Sequence, residues 1–129
     1  MRLLLDTHVM LWALGASANL SPRTRTAIVA ADSLVYVSAA SLWEIAIKAA
    51  NGKVELPGPP SEWLLDAIAE VGFDVLHITG AHALAAGALP SHHRDPFDRM
   101  LVAQALADHL TVVTRDPWFE RYGVVVMAG

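Results

Sequence analysis

Apolar positions along the chain gather into short runs that alternate with longer stretches of helical spacing. Arg2–Asp6 carries three consecutive leucines closed by an acid, the pattern of a strand buried in a parallel sheet. Thr7–Leu14 then places Val9, Met10, Trp12 and Ala13 at helical spacing. Ser21 and Pro22, a cap followed by a first-turn proline, open a predicted helix over Arg23–Ala31. Leu34–Val37 is a second strand. Ser38 or Ser41 caps the next helix, whose stripe of Leu42, Ile45 and Ala49 ends near Asn51-Gly52.

The proline-rich stretch Leu56–Pro60 is a turn, too short to separate domains. Ser61 caps a helix through Glu70, Phe73–Ile78 is a third strand, and Thr79 caps a short alanine-rich helix to Gly87. After a loop over Leu89–Arg94, Asp95-Pro96 opens the strongest helical pattern, with Phe97, Leu101 and Ala105 in spacing and Met100 or Ala107 beside them. Thr111–Arg115 is a fourth strand, Asp116-Pro117 starts a short helical turn, and Val124–Met127 is a fifth strand. Strands alternating with helices predict an α/β fold with a mostly parallel sheet. At 129 residues, a single domain over 1–129 is the expectation.

Composition removes several function classes. Without cysteine there is no disulfide framework, thiolate zinc site or thiol nucleophile. With 54% hydrophobic residues the chain can offset the entropy of ordering, so it is not a disordered segment. No apolar run reaches the roughly 18 residues of a membrane span, and Asp6 and His8 interrupt the only stretch resembling a signal peptide, so a cytoplasmic protein is expected. The formal net charge of −4 argues against a general nucleic-acid binder.

Four acids stand where a parallel sheet binds ligands, outside the carboxyl ends of its strands. Asp6 closes the first strand, Asp116 follows the fourth, Glu44 lies early in the helix after the second, and Asp98 lies in the first turn of the helix before the fourth. Four carboxylates gathered there repel one another unless a hard cation neutralises them, which points to Mg²⁺ or Mn²⁺ and to phosphodiester hydrolysis. Each acid also has a plainer use. Asp6, Asp95 and Asp116 precede helix starts, where an aspartate cap contributes about 1 kcal/mol. Glu44 has Lys48 one turn on as an ion-pair partner. His92 and His93, being adjacent, are loop residues that with Arg94 could meet phosphate, and the other histidines read as surface or core. The tryptophans read as core or interface.

Four blocks of the sequence carry a family likeness. Leu4-Leu5-Asp6-Thr7-His8, Ser38 through Ile45, Asp95 through Ala105, and Thr114-Arg115-Asp116 resemble, in order, the motifs of PIN-domain ribonucleases, and especially the VapC-type toxins of bacterial toxin–antitoxin modules. The resemblance covers nearly the whole chain. It implies a PIN-like three-layer sandwich and a metal-dependent endoribonuclease held inactive by a VapB-type antitoxin, often as a homodimer. The family's acidic quartet falls on Asp6, Glu44, Asp98 and Asp116, as holders of Mg²⁺ or Mn²⁺ and as the catalytic acids. Thr7 and Thr114 match the hydroxyl residues beside the first and last acids. Arg94, Arg99 and Arg115 are candidates to meet the phosphates of an RNA substrate.

Two other readings compete. A receiver-type phosphoacceptor also clusters acids at strand ends, but it needs an acidic pair near the first strand and a lysine after the last. Here Asp6 has no acidic neighbour, and Lys48 and Lys53 are both mid-chain. A PIN-like module that only binds a partner is opposed by the presence of all four acids. The excess of apolar residues itself suggests a dimer interface and a groove for an antitoxin helix.

Overall fold

The computed structural model describes residues 1–15 and 17–129. Five strands, β1 (Arg2–Leu5), β2 (Leu34–Ser38), β3 (Asp74–Leu76), β4 (Thr111–Thr114) and β5 (Val126–Ala128), form one sheet in the order β3-β2-β1-β4-β5. All four pairings are parallel. The order runs outward from β1 in both directions, so the winding reverses between β1 and β4, the position where doubly wound sheets open a crevice at their carboxyl ends.

The sheet is covered on both faces, and the alternation of side chains along each strand shows how. Leu3 and Leu5 of β1, Val35 and Val37 of β2 and Val113 of β4 belong to one core cluster, whereas Leu4 and Val112 belong to a second. The first cluster is closed by α1 (Thr7–Leu14), α2 (Pro22–Val29), α3 (Ala39–Ala50) and α4 (Pro60–Glu70) through Val9, Met10, Ile28, Ile45, Leu64 and Ile68. The second is closed by α6 (Pro96–Asp108) and by the 3₁₀ turn Pro117–Tyr122, through Leu101, Val102, Ala105 and Phe119. Helix α5 (Gly80–Ala88) packs on α6. This is the three-layer α/β sandwich expected, with every strand pairing parallel. Among the described residues no helix is long and apolar enough to cross a membrane.

Local chemistry explains most boundaries; it settles which of two serines caps α3, and four boundaries differ from expectation. Ser38, not Ser41, caps α3, its hydroxyl accepting from the Ala40 amide at 3.0 Å, which leaves Ser41 free to face α1. Helix α4 begins one residue before Ser61 and has no side-chain cap; Pro59 and Pro60 hold the entry through their fixed φ. Helix α2 stops at Val29, because Ala30 turns to an extended ψ of 136°. The third and fifth strands are shorter than predicted. These are the two edges of the sheet, where only one neighbour supplies hydrogen bonds.

Candidate active site

The carboxyl ends of β1 and β4 fix the first two acids by the same device. Asp6 leaves β1 in extended backbone and caps α1, its Oδ1 accepting from the Val9 amide at 2.8 Å. Its other oxygen, Oδ2, accepts from the Thr114 hydroxyl at 2.5 Å. Thr114 Oγ1 in turn accepts from the Asp116 amide at 3.0 Å. Asp116 caps the 3₁₀ turn through Oδ1 and the Trp118 amide at 2.9 Å, leaving Oδ2 turned toward His93 Nε2 at 3.6 Å. Capping and site-building therefore use different oxygens of the same side chain.

Glu44 is buried on α3 beside its neighbour from α1. Thr7 Oγ1 donates to Glu44 Oε1 at 2.7 Å and stands 3.0 Å from the Ser41 hydroxyl. Lys48, one turn on, donates to Oε2 at 2.7 Å. Asp95 and Asp98 divide the two duties that Asp6 and Asp116 combine. Asp95 caps α6, its Oδ1 accepting from the amides of Phe97 and Asp98. Asp98 is thereby spared as a cap, and its Oδ2 meets His93 Nε2 at 2.9 Å.

The electrostatics follow from this crowding. Burial raises the Asp6 carboxyl above its ordinary range; hydrogen bonds from Thr114 and Val9 and the charge of His8 oppose the rise, and Asp116 adds to it. Asp98 is pushed from the ordinary 3.8 up to about 7, first by burial and then by the charge of Asp95, with a smaller push from Glu44. The hydrogen bond from His93 and its charge hold the value down. Hard oxygen donors whose negative charges raise one another match a divalent cation in ligand type and in sign. Among the described residues, one group of three has ligand atoms all within 4.8 Å of one another: His93, Asp98 and Asp116.

The arginines near the acids are largely committed to backbone. Arg99 donates to the carbonyls of Ala86, Leu89, Pro90 and His93 at 2.8–3.3 Å, clasping the end of α5 and the following loop to α6. Arg115 donates to the carbonyls of Gly129 and Asn19 and lies over the Trp12 ring at 4.5 Å. Arg94 is exposed. The residue that sequence reasoning passed over is His93. Its partners Asp116 and Tyr122 lie 23 and 29 positions away, and adjacency to His92 hid that the two rings diverge. His92 packs edge-on to Tyr122, whereas His93 stacks on Trp118 at 6.0 Å between ring centres.

The sequence profile of the PIN domain matches residues 3–125. The chain belongs to the PIN domain family. Solved structures of similar fold include VapBC2 from Rickettsia felis bound to a DNA fragment from its promoter, at TM-score 0.73 and 15% identity over 98% of each chain. FitAB bound to the IR36 DNA fragment is similar at TM-score 0.60 and 22% identity, covering 97% of this chain and 93% of that one. FitAcB from Neisseria gonorrhoeae stands at TM-score 0.60 and 23% identity, covering 98% and 96%. The likeness to these structures is one of fold. No curated protein matches the sequence.

Proposed function

We propose that this PIN domain is a metal-dependent endoribonuclease, the toxin of a VapBC-type pair, with Asp6, Glu44, Asp98 and Asp116 as its catalytic and metal-holding acids. The observation that carries the reading is the convergence of carboxylates at the β1/β4 reversal. Asp6 is joined to Asp116 through Thr114, and Asp98 senses the charge of Glu44. Membership of the PIN family and the fold shared with toxin–antitoxin complexes support it.

A bound Mg²⁺ or Mn²⁺ would supply a water of lowered pKa and positive charge for the in-line displacement. The chain's own residues fix the donors. Thr114 turns Asp6 Oδ2 and the Asp116 backbone to a common point, and Thr7 holds Glu44 Oε1. Lys48 offsets the charge of Glu44, whose side chain is only 8% exposed. With Arg99 and Arg115 bound to carbonyls, Arg94 is the arginine left to meet an RNA phosphate among the three candidates. RNA selection then depends on the cation and on shape more than on a basic surface.

A cognate VapB-type antitoxin and a second copy of the chain are the proposed protein partners of this cytoplasmic toxin. An apolar groove of about 270 Å³ between α3 and α4, lined by Leu42, Trp43, Ala46, Leu64 and Leu65 among others, supports such contacts. Trp43 beside it is 64% exposed. The experiment is cleavage of structured RNAs by purified protein with Mn²⁺, with EDTA, and with Asp6→Asn. Asparagine keeps the capping oxygen, so the variant should melt within about 1 kcal/mol of the parent while losing cleavage. Full activity of the variant, or cleavage undiminished by EDTA, refutes the assignment.

A further inference from the structure

The loop between α5 and α6 brings a nitrogen donor into a site otherwise made of oxygens. His93 Nε2 lies 2.9 Å from Asp98 Oδ2 and 3.6 Å from Asp116 Oδ2. Ligands about 2.1 Å from an octahedral ion stand about 3 Å apart when adjacent and about 4 Å when opposite; these three atoms all lie within 4.8 Å of one another, close enough to converge on one ion. Both the backbone of His93 and its ring are held in place. The His93 amide donates to the Tyr122 hydroxyl at 2.7 Å, the His93 carbonyl accepts from Arg99, and the imidazole stacks on Trp118 at an interplanar angle of 28°. Trp118 is itself anchored to Asp116 through its amide. An imidazole on a tethered backbone, stacked on one face and with Nε2 facing two carboxylates, is preorganised as a ligand.

We infer that His93 is a direct metal ligand, completing with Asp98 and Asp116 a mixed nitrogen–oxygen site that prefers a first-row transition-metal ion to Mg²⁺. The inference rests on the metal-dependent reading above and names the ion class. Mg²⁺ favours an all-oxygen shell with retained waters, whereas imidazole strengthens binding of Mn²⁺ and more so of Co²⁺ and Zn²⁺. The opposite role is also chemically coherent: an Nε2–H that donates to Asp98 would occupy the place of the ion and compete with it. The two roles predict opposite effects of removing the ring.

The test is calorimetric titration of metal-stripped protein with MnCl₂, CoCl₂ and MgCl₂, without RNA. Parent, His93→Ala, His93→Gln and His92→Ala are compared, each checked for folding by circular dichroism. The expected result is tighter binding of Mn²⁺ and Co²⁺ than Mg²⁺ by the parent. Both His93 variants should weaken Mn²⁺ and Co²⁺ at least about tenfold and narrow the gap to Mg²⁺, with His92→Ala unchanged. Unchanged or tighter Mn²⁺ binding by folded His93 variants overturns the inference while leaving the metal-dependent reading standing. If the parent binds none of the three ions, both fall.

Discussion

Replacing Asp98 by asparagine should make the metal-free protein more stable at neutral pH, even though the same change is expected to disable the site. In the fold the Asp98 carboxyl titrates near 7 rather than 3.8, chiefly because of burial and the charge of Asp95. A raised carboxyl pKa means that the fold holds the proton more tightly than the unfolded chain does. The stability Asp98 contributes is therefore complete below about pH 4, and it drains away as pH rises through 7. At 1.36 kcal/mol per pH unit, the full span corresponds to about 4 kcal/mol. The side chain is 20% exposed and leans on His93, so an observed difference of about 2–4 kcal/mol is the reasonable expectation. Asparagine keeps the shape and stays neutral, which removes this pH dependence. Urea unfolding of parent and variant in EDTA from pH 4 to 8 measures it. The curves should meet near pH 4 and separate toward pH 8, with the variant more stable. Saturating Mn²⁺ should then raise the parent alone, by about 2.7 kcal/mol at 100 times its Kd. A difference between the two proteins that is flat with pH, or a variant less stable at pH 8, refutes the reasoning.

Arg99→Ala should cost about 2–4 kcal/mol in urea unfolding, since it releases a guanidinium that serves four carbonyls, and Arg99→Lys should recover less than half of that because an ammonium cannot reproduce the fork. Equal stability of the alanine variant would show that solvent replaces those bonds. His109 ends α6 with a left-handed φ of 56°, so His109→Gly should stabilise by about 0.5–1 kcal/mol, and a lowered melting temperature would contradict the strain.

Much of the layout was legible because it rests on short-range rules. Three leucines before Asp6 mark a buried strand, Asp-Pro at 95–96 and 116–117 marks two helix starts, and alternation of strand and helix implies the parallel sheet. The positions of Asp6, Asp98 and Asp116 were legible for the same reason, each being tied to the end of a predictable element, whereas Glu44 sits in mid-helix. Edge strands were overdrawn, because the apolar residues of Phe73–Ile78 and Val124–Met127 cannot declare which of them find a ladder partner. The opening of α4 was misplaced because two prolines substitute for the side-chain cap that Ser61 suggested. Long-range contacts were beyond reach. Nothing near His93 in sequence announces Trp118 or Asp116, and nothing about Arg99 or Arg115 reveals that their donors are taken by carbonyls.

The division of labour between the two oxygens of Asp6 and Asp116 has a genetic consequence. Aspartate and asparagine codons differ by one nucleotide, and asparagine caps a helix about as well. On the nuclease reading proposed above, a single base change at either codon would silence the enzyme while sparing its fold and its apolar groove. If the gene is paired with that of an antitoxin, as proposed, inert copies that still bind antitoxin would arise by the commonest kind of mutation. Selection would have to act on them as decoys rather than clear them as unfolded protein.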